Sequence, residues 1–92
     1  MLPSEEATEV VKDRQEKYDH PTVVYNRVAL IWSAILGQPV KAYQVALCLA
    51  GLKLGREAGR HHWDNLVDLA GYANVCGMIV ERNAPDDPFD AR

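Results

Sequence analysis

The residues that could do chemistry gather around one short stretch. Lys53, Arg56 and Arg60 supply three cations, and Asp64 and Asp68 stand four residues apart, hence on one face of any helix that carries them. If residues 41–57 and 63–82 form an antiparallel helical hairpin with its loop near Arg60, the numbers of facing residues sum to about 120. That register sets Arg56 against Asp64 and Lys53 near Asp68. Two readings use the same residues. In one, the charges are ion pairs that fasten the hairpin, because a buried carboxylate needs a partner. In the other, the loop end is a polar pocket joined by His61 and His62, in which the cations hold a phosphate and Asp64 and Asp68 hold a divalent metal. Two carboxylates are a thin set for Mg²⁺, which would take its remaining ligands from water or substrate. His20, Asn26 and Tyr72 are further candidates for lining a pocket. His20 precedes a proline, where capping is its ordinary role. Tyr72 follows Gly71 inside a helix, where a tyrosine can hydrogen-bond a buried polar group and a glycine permits close helix approach.

Other sites find no support. His61 and His62 are adjacent and diverge on any helix start, and no metal-ligand spacing links them to Cys48 or Cys76. Both cysteines sit in apolar stretches and are expected to be buried, small apolar residues of a reducing compartment.

The elements that carry these residues are helices. Ser4 can cap a first helix over 4–17, with Glu5 and Glu6 at its positive end and a narrow apolar stripe that makes it peripheral. Pro21 opens a second helix over 21–36, and Gly37 and Pro39 close it. The third helix, 41–57, and the fourth, 63–82, are apolar almost all round, so most of the circumference of the third is expected to be buried. Residues 83–92, rich in Pro and Asp, read as a flexible tail. No segment alternates in the manner of a strand. The expected fold is an all-α, small antiparallel bundle of about four helices in one domain. Two helices apolar on every side exceed what so small a bundle can cover. A two-fold dimer through apolar helix faces is therefore expected.

Composition narrows the function classes. The 92 residues are 48% hydrophobic and 25% charged, with a net charge of −3. Nucleic-acid backbone binding calls for a basic protein, and a third helix without a polar face is a poor recognition helix. Neither a membrane span nor a basic-then-apolar leader is visible, so a cytoplasmic protein is expected.

Tyr18-Asp19-His20-Pro21, Asn26-Arg27-Val28-Ala29 and Leu30 through Gly37 resemble a small, uncharacterised domain family of tailed bacteriophages. So do Val45-Ala46, Leu52-Lys53-Leu54, Arg56, His62, Asp64 and Asp68 through Ala73, in order across residues 13–80. The chain departs from that pattern at Asp19, where glycine is common, and at Val40, where Ser or Thr would cap the third helix. The resemblance implies a phage protein acting in the bacterial cytoplasm and brings no activity with it. A weaker likeness is to MazG-type all-α nucleotide pyrophosphohydrolases, whose EExxE and ExxD motifs hold Mg²⁺. Glu5-Glu6-Ala7-Thr8-Glu9 matches the first literally. Glu16 to Asp19 follows too closely to be the second, and Asn65 stands where Asn65 to Asp68 would need Glu. Two functions are thus carried forward. The leading one is an oligomeric, non-catalytic protein that binds a host or phage protein. The alternative is a nucleotide-binding or Mg²⁺-dependent pyrophosphohydrolase using the hairpin pocket.

Overall fold

A computed structural model of the chain describes residues 1–17 and 20–83, with the side chains of 14–17 and 83 left aside. The expected tail, apart from Asn83, and Tyr18 and Asp19 lie outside the described residues. Four helices account for nearly everything described: α1 (Pro3–Lys17), α2 (Pro21–Leu36), α3 (Ala42–Gly59) and α4 (Trp63–Asn83). Among the described residues there is no strand.

Local chemistry sets the boundaries. Pro21 occupies the first turn of α2, and His20 caps it through Nδ1, which accepts from the Thr22 N–H at 3.2 Å. Gly37 ends α2 at φ +66°, the left-handed region that glycine enters without strain. Ser33 Oγ then accepts the Val40 N–H at 2.8 Å, holding the short turn into α3. Val40, where a cap was sought, lies one residue early. Lys41 is the cap position, and its N–H donates to Gln44 Oε1 at 2.8 Å.

Helices α3 and α4 run antiparallel in the expected register. Lys53 meets Asp68, Glu57 meets Asn65, and Cys76 Sγ lies 3.9 Å from the Tyr43 carbonyl. Helix α1 is peripheral, as its narrow stripe suggested, with α4 as its main neighbour. Ala7 is only 1% exposed there. Three pairs advance in the same sense along both helices: Glu6 with Trp63, Ala7 with Gly71, and Thr8 with Asn74. A methyl built on Gly71 would sit 3.8 Å from Ala7 Cβ, an ordinary contact. The close approach is real, yet it comes from Ala7 being small and does not require the glycine.

The core is made of small side chains. Ala42, Ala46, Val75 and Ile79 form its centre, with Val11, Tyr25, Tyr43 and Cys76 around them. The largest fully buried side chains are Ile79 and Val45. The larger aliphatics stand outside: Leu30 is 73% and Ile35 74% exposed, and Ile31, Leu36, Leu47, Leu52 and Leu54 are exposed too. The expectation that α3 buries most of its circumference is therefore corrected within the single chain. Leu47, Cys48, Leu52 and Leu54 occupy positions that neither α2 nor α4 reaches, because each neighbour covers only one side of a helix. Cys48, expected to be buried, is exposed, and Cys76 is half-buried.

Candidate functional site

Three groups of polar residues can be built upward from these helices. The first closes the α3–α4 hairpin, and Glu57 is its centre. Its carboxylate accepts the His62 N–H at 2.9 Å and the Asn65 side-chain amide at 3.3 Å, and it is joined to His61 Nδ1. The His62 amide and then the His61 ring hold the Glu57 carboxyl down to about 2, from 4.5. The His62 bond satisfies a backbone donor that the start of α4 would otherwise leave open. Glu57 was not among the residues singled out from sequence. The available signal was an acid in the last turn of α3, where the helix dipole disfavours it. Such an acid needs donors nearby, and His61, His62 and Asn65 follow within eight residues.

The predicted basic pocket is not assembled at this loop. Arg56, Arg60 and Asp64 are exposed, and Arg56 and Asp64 make no ion pair with each other. Arg60 is the C-cap of α3, its N–H donating to the Arg56 carbonyl at 3.0 Å. His62 contributes its backbone to Glu57 while its side chain is exposed. The physical reason is competition: Glu57 occupies the loop-facing position that the register had assigned to Arg56.

The second group does follow the register. Lys53 Nζ lies 2.9 Å from Asp68 Oδ2, with Lys53 17% and Asp68 45% exposed at their side chains. Beside the pair is a cleft of about 170 Å³ between α1, α2 and α4, lined by Val10, Val11, Tyr25, Asp68, Gly71, Tyr72 and Val75. Tyr72 thus lines a cleft next to the ion pair instead of serving a buried polar group. Asp64, exposed one turn earlier, does not join Asp68 here. Among the described residues no three His, Cys, Asp or Glu side chains are placed to share a metal ion.

The third group lies at the far end of α4. His20, Met78, Glu81 and Arg82 border a shallow depression that shares Met78 and Glu81 with an open groove of about 560 Å³ between α1 and α4. Burial, and then the Arg82 charge, lower the His20 pKa from 6.5 and favour the neutral ring that its capping bond needs. Asn26 is exposed and lines neither this depression nor the cleft. Lys53, Asp68 and Tyr72 are therefore brought together, while Arg56, Arg60, His62 and Asp64 stay near the loop and His20 and Asn26 stand elsewhere.

The acidic stretch of α1 is also placed. Glu6 accepts the Trp63 indole N–H at 3.0 Å, whereas Glu5 and Glu9 are exposed. None of the three is directed to the cleft lining.

Comparison with known proteins gives the chain a family without an assigned chemistry. Residues 4–80 match the family described as the domain of unknown function DUF6378. The chain is 30% identical over 86 residues to the Gene 55 protein of Mycobacterium phage D29, covering 91% of this chain and 57% of that relative. It thus spans a little over half the length of the curated relative it matches. No solved structure matches it.

Proposed function

The chain belongs to the DUF6378 family, an uncharacterised phage domain family, and we propose that it is an oligomeric, non-catalytic protein of the host cytoplasm that binds a host or phage protein. The observation that carries this reading is the inverted distribution of side-chain size. Alanines and valines fill most of the core, while Leu30, Ile31, Ile35, Leu47 and Leu54 face outward from α2 and α3. Burying a Leu or Ile side chain stabilises by roughly 1.5–3 kcal/mol, so this surface holds a large unused driving force for association. Patches of exposed apolar surface on soluble proteins commonly mark interaction sites.

The polar groups support the same reading from the other side. Lys53 is neutralised by Asp68, and the Glu57 carboxylate is occupied by loop donors. A pyrophosphohydrolase would need several carboxylates converging on Mg²⁺. Glu6 instead holds an indole and Asp68 an ammonium.

Thermal unfolding with nucleoside triphosphates, with and without Mg²⁺, tests this. The expected result is a flat panel. A ligand at 100 times its Kd would add about 2.7 kcal/mol. A Mg²⁺-dependent rise that disappears in Asp68→Asn would overturn the non-catalytic reading in favour of the nucleotide alternative.

A further inference from the structure

Helix α3 carries an outward stripe that nothing among the described residues covers. Leu47, Cys48, Gly51, Leu54, Gly55 and Ala58 recur at three- and four-residue steps, so they share one side of the helix. All six are exposed. Gly51 and Gly55 lie mid-helix without positive φ, and a Cβ added to either would meet no atom within 4 Å. Neither backbone conformation nor internal packing calls for glycine there, although glycine is among the weakest helix formers. Two leucines that are about half exposed stand beside these two notches.

We propose that this stripe is the contact between two copies of the chain, with α3 of one protomer crossing α3 of its partner in antiparallel sense at Gly51 and Gly55. The proposal rests on the protein-binding reading above and names its first partner. Shape and charge both select a second copy. Ridge and notch occur on the same surface, so the stripe is complementary to itself, as an isologous two-fold contact requires. In such a contact the residues nearest the crossing point meet their own twins or near neighbours, so a charged side chain there would face its own sign. The stripe carries no Asp, Glu, Lys or Arg, in a chain with 23 of them among 92 residues. Glycine notches let two helix backbones approach closely enough for leucines to pack across the crossing. The antiparallel sense sets the two helix dipoles head to tail and keeps Arg56 and Arg60 of one protomer away from those of the other.

Sedimentation equilibrium of the full 92-residue chain reads the association directly, and the expected mass is twice 10.3 kDa. Gly55→Leu fills the notch while favouring the helix, so it weakens the dimer at least tenfold and raises the monomer's resistance to denaturant. These opposite signs separate a lost contact from a lost fold. As a second measurement, Ala58→Cys forms an intermolecular disulfide under mild oxidation, because antiparallel crossing at the two glycines sets residue 58 against Cys48 of the other copy. The additional Cys48→Ser change abolishes it. A chain that stays monomeric at all concentrations, or a dimer that Gly55→Leu leaves intact, overturns the proposal. A monomer with a flat nucleotide panel removes the second copy alone and leaves binding of another protein standing, whereas a Mg²⁺-dependent nucleotide shift sinks the broader reading whatever the mass.

Discussion

Lys53 on α3 and Asp68 on α4 form an ion pair at 2.9 Å, with the ammonium more shielded than the carboxylate. The pair fixes the hairpin register at its middle while Glu57 fixes it at its loop. Because Asp68 is 45% exposed, solvent screens much of the attraction. A double-mutant cycle of Lys53→Met and Asp68→Asn, measured by urea unfolding, should give a coupling of about 0.5–1 kcal/mol. A coupling of several kcal/mol would mean that the pair is far more buried than it is here.

Glu57 makes a pH prediction. Its carboxyl is lowered from 4.5 to about 2 in the folded chain, so the unfolded chain takes up the proton first as pH falls. The associated stability is fully present above about 4.5 and declines towards 2. Unfolding free energy measured across that window should fall less steeply in Glu57→Gln than in the parent chain. Parallel slopes would show that the loop bonds do not distinguish the ionised acid.

A buried hydroxyl offers a stabilising change. Thr22 is 5% exposed, and its Oγ1 has no hydrogen-bond partner among the described residues. An unsatisfied buried polar group costs roughly 1–3 kcal/mol, and valine has almost the same shape. Thr22→Val should therefore raise the denaturation midpoint, by about 1 kcal/mol in free energy after partial compensation. A drop in stability would reveal a partner for the hydroxyl.

Core and surface should respond in opposite ways. Ile79 is completely buried at the centre of the core, so Ile79→Ala should cost about 2–5 kcal/mol through lost burial and a cavity. Ile35, 74% exposed, should tolerate Ser with a change of about 0.5 kcal/mol or less in the isolated monomer. Chemical denaturation at low protein concentration compares the two.

What the sequence made legible was set by short-range chemistry. Pro21, His20 and Gly37 delimit α2 because each acts on its own backbone, and the spacing across one loop was enough to pair Lys53 with Asp68. Arg56 and Asp64 failed to pair because a nearer acid with three donors in reach, Glu57, took the loop. Side-chain burial was less legible. Apolar residues all round α3 do not reveal which sides have neighbours, and so Leu47 and Cys48 were assigned to an interior that this chain does not provide. The seat of α1 was hidden for a related reason: Ala7 is too small to register as an anchor, although it is almost fully buried against α4.

The packing of α1 against α4 also orders events in time. Its contacts join residues 57 and 66 positions apart, Glu6 with Trp63 and Thr8 with Asn74, whereas the hairpin closes through neighbours such as Glu57 and Asn65. Short loops close at smaller entropic cost than long ones. During synthesis α1 leaves the ribosome well before its seat on α4, so it can dock only after the hairpin residues have been made. Until Asn74 emerges, the nascent chain carries the Ala7 face uncovered.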